Sequence, residues 1–531
     1  MPSRSTPHGD FAVALSGGGH RATLFSIGAL MALVDRGLNA GVVQISSVSG
    51  GSIANAFVAQ RCRFDVLAPG ELDPIAAELV GTIVDRGVLS RAWISFVIGL
   101  AVVIGGASGT ALWLLGGPAV LAVLVALFVA FGALLPSGLV VQRLLARRYF
   151  SPAGVAGRLG DLADRDVEHV FCSTDLVLGQ PVNFSTWDGG TAWRMTGEGR
   201  VGEVFGAAAA RYGAGDLSLA EVVRASSAFP GIPPLRLRSD SKLGAPQRRP
   251  RDVDDATARP GVLFLADGGL WNNLGSHVLR EYRVLRGREG ADTGLPLLCV
   301  NSSASGASSA PVVYSVPVIA QFAALLRTLK VLTVNTVQPR VRSINDAMAR
   351  RDALGTRPGP HDPLDVVVDL SDVRRHEQAV RALCRDRAAV RRSDVVHDTY
   401  RRDLVEHLAS WADHLDGTPD DADRHELTGL VLNALRGRPQ GSDDAVGVVD
   451  RRSLEELVVH PAWVALRAAT SPGDLTVPTT LDRVPRADAA DLVLRGYANT
   501  WLSSLLIEPR DPAPPPADVV ERVRRMAGVA R

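Results

Sequence analysis

Two short apolar runs near the N-terminus, Phe11–Leu15 and residues 42–46, each stop at a turn of small residues and pass into helically spaced apolar positions. Their length, β-branched content and bounding glycines predict strand, turn, helix, strand, turn, helix. Helical spacing continues over residues 56–90, and then polarity vanishes: residues 92–142 contain no Asp, Glu, Lys, Arg or His. That stretch is too long for one membrane span and suits two, because a helix covering roughly 30 Å of hydrocarbon needs about 20 residues. Residues 93–115 and 118–141 are the expected transmembrane spans, with Gly116-Gly117-Pro118 as the break between them. Arg86 and Arg91 precede the pair and Arg143, Arg147 and Arg148 follow it, which predicts a hairpin with both flanks on the cytoplasmic side. Gly105 and Gly109 form a GxxxG that permits close helix approach. The alternative is a fully buried helical pair within a soluble fold.

Beyond the apolar stretch, residues 167–173, 181–185, 235–237, 262–265 and 295–301 read as short strands with helices between them, which predicts a mixed α/β sheet. Residues 238–260, rich in charge and proline, read as an exposed loop. Residues 316–337 form an apolar segment of helix length containing Arg327 and Lys330, either a core helix or an interfacial or lid helix. Alternating Arg and Asp over 371–440 predict a solvated helical surface, and 492–507 a further helix before the proline-rich break at 509–516. The expected organisation is a globular domain in two parts, 1–91 and 143–310, interrupted by the hairpin at 92–142 and followed by a mainly helical region, 311–531.

Charge and cysteine content narrow the partners. A formal net charge of +1 provides no basic excess to drive counterion release, so a nucleic-acid surface is not expected. Lysine occurs only at 242 and 330, an arginine bias that fits a bacterial genome of high GC content. Cys62, Cys172, Cys299 and Cys384 form no CxxC pair and no metal-ligand spacing, as expected of reduced thiols in a cytoplasmic domain. The polar N-terminal residues 1–10 lack an apolar leader of signal-peptide type. With the hairpin, these features predict a multi-pass protein of the cell inner membrane whose globular domain faces the cytoplasm.

The two N-terminal turns suit acyl-transfer chemistry. Gly17-Gly18-Gly19 can converge backbone N–H groups at a helix N-terminus, where an anion is favoured, and this is one way to build an oxyanion hole. In Ser47-Val48-Ser49-Gly50-Gly51 a serine flanked by small residues sits between strand and helix, the strained geometry of a nucleophile elbow, which makes Ser49 the candidate nucleophile. Either turn alone is commonly structural. Two of them on parallel neighbouring strands would lie together at the carboxyl edge of one sheet.

These residues resemble the patatin-like phospholipase family, relatives of the cytosolic phospholipases A2. Gly17, Gly18, Gly19 and Arg21 match the family's glycine-rich oxyanion motif, with Ala22 where a glycine is usual, and Ser47 replaces the first glycine of its GxSxG elbow. The later Asp-Gly-Gly motif is found at Asp267-Gly268-Gly269, and the segments 173–175, 179–182 and 224–231 are also similar. The resemblance spans roughly residues 10 to 300. It implies a three-layer α/β/α fold and a serine lipid acyl hydrolase of phospholipase A or lysophospholipase type. Ser49 would be its nucleophile, Asp267 its base and Gly17 to Gly19 its oxyanion donors, with Arg21 anchoring the loop or contacting a lipid phosphate. No cofactor or metal is required, and the expected partners are a membrane lipid substrate and the bilayer. The departures at Ala22 and Ser47 motivate the alternative, a non-catalytic membrane protein that keeps the fold to bind acyl lipid or a partner. His20 and His277 lie near the motifs without a metal or helical pairing pattern and are expected to be surface or hydrogen-bonded histidines.

Overall fold

The computed structural model describes residues 10–88, 91–134, 137–151, 157–162, 167–238, 262–278, 296–302, 365–383 and 451–529, with short breaks in the longer segments. The expected helix at 316–337, the loop at 239–260, His277, Cys384 and most of 371–440 lie outside these residues. The protein is mixed α/β, built on a ten-stranded sheet.

At its centre β1 (Phe11–Leu15) is buried along its whole length, as a strand covered on both faces must be. It pairs in parallel with β2 (Val42–Val48) on one side and with β9 (Leu297–Asn301) on the other, and β10 (Asp365–Asp369) extends the parallel array beyond β9. On the far side of β2, β3 (Glu168–Asp175) is again parallel, and its register sets Val48 opposite Cys172. The sheet then turns antiparallel through β4 (Gln180–Ser185), continuing to β6 (Gly199–Phe205) and β5 (Thr191–Thr196). The last residues of β3 pair with β8 (Val262–Asp267), which carries β7 (Leu235–Arg238) at its edge.

Helix α1 (Gly19–Asp35) crosses from β1 to β2 and is almost entirely buried. Its cover is α8 (Arg486–Ile507), close to the C-terminus in sequence and internal in space. The two backbones nearly touch: a side-chain carbon at Gly28 would lie 2.1 Å from the Val493 carbonyl oxygen, and one at Gly496 2.0 Å from that of Phe25. Helix α2 (Gly50–Arg61) follows β2, and α3 (Asp73–Asp85) packs beside α1. The final helix α9 (Val519–Met526) is tied down by Arg522, which pairs with Asp35 and, at 3.2 Å, with Asp73.

The apolar stretch forms an antiparallel pair, α4 (Arg91–Leu114) and α5 (Ala119–Leu134). Gly109 lies on its seam, where an added side-chain carbon would come within 2.7 Å of the Ala122 carbonyl oxygen and 2.8 Å of the Ala126 methyl. Outward-facing Val103, Trp113, Leu115, Val120 and Phe128 are exposed, the last by 80%. Among the described residues, no helix is long and apolar enough to cross a membrane. The expected second span is corrected on two counts. The described helix α5 covers 16 residues, about 24 Å at 1.5 Å per residue and short of a bilayer core. The rest of that span belongs to α6 (Ser137–Leu145), whose Val141 and Leu145 are buried in the core of the α/β domain. A one-turn π-helix, Ala146–Phe150, continues α6 and buries Tyr149 and Phe150.

Candidate active site

Strands β2 and β8 reach the same point of β3 from opposite directions. β2 runs parallel to β3 and ends with Val48 opposite Cys172; β8 runs antiparallel and ends with Asp267 opposite Ser173, the next residue along. The turns that leave the two strands therefore meet head to head. Ser49 stands in one, at φ 51° and ψ −116°, the only non-glycine residue with positive φ among the described residues. Such a conformation costs about 1 to 3 kcal/mol and persists only where surrounding contacts enforce it. Gly50 and Gly51 are part of that enforcement: a side-chain carbon at Gly50 would lie 1.9 Å from the Gly19 carbonyl oxygen, and one at Gly51 2.6 Å from that of Leu15.

The Ser49 side chain stands beside the Asp267 carboxylate and favours its ionised form. Ser49 is 8% exposed and Asp267 3%. Burial pushes the Asp267 carboxyl up to about 6, opposed by the hydrogen bond it accepts from the Gly269 N–H at 2.7 Å and, less, by the neighbouring Ser49 side chain. Its backbone is fixed on both sides: the Asp267 N–H donates to the Ala228 carbonyl at 3.1 Å, and the Thr174 hydroxyl donates to the Asp267 carbonyl at 3.1 Å. A carboxyl held near 6 is ionised at neutral pH and basic enough to take a proton from a bound hydroxyl.

The glycine turn lies against this pair. A side-chain carbon at Gly17 would sit 3.1 Å from the Ser49 Cβ and 2.3 Å from the Asn273 Oδ1, so any larger residue would press on Ser49 and displace the Asn273 amide. Gly18 and Gly19 adopt φ of 150° and 61°. Among the described residues their N–H groups have no protein acceptor, and they open helix α1, whose N-terminus favours negative charge. Gly17 departs from the expected donor set, because its N–H already donates to the Asn273 carbonyl at 3.0 Å. The Gly17 carbonyl in turn accepts from the Ser302 hydroxyl at 3.1 Å, which holds the peptide joining Gly17 to Gly18 in one orientation.

Arg21 is 4% exposed. Its guanidinium donates to the Ser302 carbonyl at 3.1 Å and to the Val477 carbonyl at 2.8 Å, and burial lowers its pKa to about 10. Of the two expected roles, anchoring the loop is the one this geometry provides. His20 is buried with both ring nitrogens engaged, Nδ1 with the Asp482 carbonyl at 2.6 Å and Nε2 with the Tyr149 hydroxyl at 2.9 Å; burial pulls its pKa down to about 4. It is a hydrogen-bonded core histidine and has no nitrogen left for Ser49. The two departures from the motif are accommodated: the Ser47 hydroxyl donates to the Val170 carbonyl at 2.9 Å and accepts from Asn55, and Ala22 is fully buried beside Gly18. Among the described residues no group of His, Cys, Asp or Glu is placed to hold a metal ion.

Three residues that hold the site were not singled out individually in the sequence. Ser226, at the end of α7 (Leu219–Ser226), contacts the turns of both Ser49 and Asp267. Asn273, within the segment after Asp267, and Ser302, just past β9, fix the glycine turn. Ser226 lies in the 224–231 segment recognised only by resemblance; the other two carry no pattern that sequence alone could rank.

No family model matches the sequence, and no curated protein does. Among solved structures, VipD from Legionella pneumophila is 15% identical, with 69% of this chain and 62% of that one covered at a TM-score of 0.24. This chain thus spans less than two thirds of the length of VipD. ExoU, in the complex of full-length SpcU with full-length ExoU from the type III secretion system of Pseudomonas aeruginosa, is 14% identical, with 91% and 77% covered at a TM-score of 0.19. At these scores neither likeness bears on activity.

Proposed function

We propose that this protein is a patatin-like serine hydrolase that cleaves acyl esters of membrane lipids. The observation that carries the reading is that the two turns bring Ser49, held at a positive φ between strand and helix, beside the buried carboxylate of Asp267, whose ionised form it favours. Ser49 Oγ attacks the ester carbonyl as its proton passes to Asp267. The carbonyl oxygen, now an oxyanion, is met by the free N–H groups of Gly18 and Gly19; preorganised donors of this kind are worth several kcal/mol, roughly 3 to 4 for one of them. Collapse of the tetrahedral intermediate expels the alcohol, which takes the proton back from Asp267 and leaves an acyl group on Ser49. Water, deprotonated by the same carboxylate, then attacks the acyl-enzyme and releases the fatty acid.

The exposed apolar pair supports a membrane-seated enzyme. Val103, Trp113, Leu115, Val120 and Phe128 are large apolar side chains exposed on one helical pair, and clustered exposed apolar surface marks an interaction or membrane site. Exposed Arg86, Arg143 and Arg147 flank the pair in sequence and suit anionic headgroups. In this reading the pair enters the cytoplasmic leaflet of the inner membrane and presents the site to lipid drawn laterally from it. The test is hydrolysis of phospholipid vesicles and of a soluble short-chain ester by the full chain and by Ser49→Ala. Turnover of both by the parent and of neither by Ser49→Ala is expected; fatty-acid release unaffected by Ser49→Ala would overturn the assignment. A folded parent that binds vesicles and turns over neither substrate would favour the non-catalytic lipid-binding alternative.

A further inference from the structure

The two turns of the site do not hold each other by their backbones; both are held by one residue at the end of α7. The Ser226 carbonyl accepts from the Ser49 N–H at 3.1 Å and from the Gly268 N–H at 3.3 Å. Its hydroxyl lies 3.0 Å from the Ser49 nitrogen, donates to the Cys172 carbonyl at 2.7 Å and faces the Ser52 hydroxyl at 2.8 Å. Ser226 is fully buried. The last carbonyls of a helix lack intrahelical partners and need donors from elsewhere. Here the donors are the amide of the nucleophile and the amide that follows the base, so the end of one helix is capped by both halves of the site.

We propose that Ser226 is a positioning residue that sets the separation of the Ser49 hydroxyl and the Asp267 carboxylate by tying both turns to the end of α7. The proposal rests on the hydrolase reading above. Helix α7 suits this task because it is itself fixed at both ends and on its flank. At its start Ser218 and Glu221 form a reciprocal capping box, with bonds of 3.2 and 2.9 Å. On its flank buried Arg224 donates to the Gln142 side chain of α6 at 2.9 Å, over a Gly138 whose missing side chain leaves room for the guanidinium. At its end the next residues reach the base directly, through the Ala228 carbonyl that accepts from the Asp267 N–H. A shift of the α7 terminus therefore moves nucleophile and base relative to β3, and misplacement of about 1 Å typically costs ~10²-fold in rate.

The experiment measures the rate of fluorophosphonate labelling and the pH profile of short-chain ester hydrolysis for the full chain and three variants. Ser226→Ala leaves the carbonyl but removes the hydroxyl that accepts from the Ser49 N–H and anchors the end of α7, and with it that carbonyl, to Cys172 of β3; Ser226→Cys keeps the volume with a weaker partner, and Ser52→Ala removes a neighbour of the same cluster without touching that anchor. Ser226→Ala is expected to label ~10²-fold more slowly, with kcat reduced and KM little changed. Ser226→Cys falls between it and the parent, and Ser52→Ala stays within about threefold of the parent. The acid limb of the pH profile moves to lower pH in Ser226→Ala, because a loosened turn admits water to Asp267; a purely structural role would leave that limb in place. If Ser226→Ala does not fold, the Cys variant carries the test. Parental labelling rates and an unmoved acid limb in the folded Ser226 variants would overturn the proposal, as would an equal loss in Ser52→Ala. A folded parent that fails to label at Ser49 would instead overturn the hydrolase reading, and this assignment with it.

Discussion

Replacing Asp267 by Asn should make the protein inactive and, near neutral pH, more stable. The carboxyl is buried and its pKa is raised from the ordinary 3.8 to about 6. At about 1.4 kcal/mol per pH unit, keeping it ionised in the folded state at pH 8 costs roughly 3 kcal/mol. The sign follows from the direction of the shift. The folded state binds this proton more tightly than the unfolded chain, so the group's contribution to stability is complete below about pH 4 and is lost as pH rises through about 6. The substituted amide would be neutral at every pH and can still accept from the Gly269 N–H, so the variant escapes that loss. The assay is thermal unfolding of parent and Asp267→Asn at pH 8 and at pH 4.5. A gain of up to about 3 kcal/mol is expected at pH 8, a few degrees in Tm for a chain of this size, shrinking at pH 4.5 where the parent carboxyl is itself mostly protonated. Equal stability of the two proteins at both pH values, or a loss that is the same at both, would refute the claim that Asp267 is held ionised against its burial.

The same carboxyl sets the pH dependence of turnover. Hydrolysis of a soluble ester should fall about tenfold per pH unit below about 6 and level off above it, because only the ionised form accepts the Ser49 proton; a rate that is flat down to pH 5 would contradict this. Gly18→Ala places a side-chain carbon 3.2 Å from Ala22 and Arg21 and 3.3 Å from Ser302 at a φ that only glycine tolerates well, and it should lower kcat by ~10²-fold while binding of a substrate analogue changes little. Equal losses in rate and binding would point to a phosphate cradle instead. The paired substitutions Val103→Asp and Phe128→Asp on the exposed apolar helices should release the protein from phospholipid vesicles in a flotation assay and leave soluble-ester turnover intact; unchanged vesicle binding would remove the membrane role from this surface.

Much of the frame was legible in the sequence because it rests on local signals. Glycines after short apolar runs mark where β1 and β2 end, and Asp267 stands at the end of a strand just as its turn chemistry indicates. What was not legible depends on distant partners. The hairpin of β5 and β6 lies in a segment rich in Gly, Arg and Glu, and β10 is three valines between two aspartates, too short for alternation to register. Helix α8 was recognisable as a helix, but its burial was not, since it carries Asp491, Arg495 and Asn499. Those side chains find partners inside the fold: Arg495 pairs with Asp491 at 3.2 Å and donates to the carbonyls of Ser471 and Gly473 at 2.8 Å, and the Asn499 Nδ2 donates to the carbonyls of Asp369 and Ser371. Residues 137–141 read as part of a membrane span because an apolar face directed at a protein core and one directed at lipid have the same composition. Gly17 likewise looks equivalent to Gly18 and Gly19 until Asn273, 256 positions away, takes its N–H.

The central claim is that Ser49 is a nucleophile activated by Asp267. It is tested most directly by treating the folded full-length protein with a fluorophosphonate, mapping the adduct by peptide mass spectrometry, and repeating the reaction on Ser49→Ala and Asp267→Asn. The account predicts a single stoichiometric adduct on the peptide containing Ser49, none in Ser49→Ala, and labelling slowed by orders of magnitude in Asp267→Asn. An adduct on another serine, or labelling of Asp267→Asn at the parental rate, would contradict it.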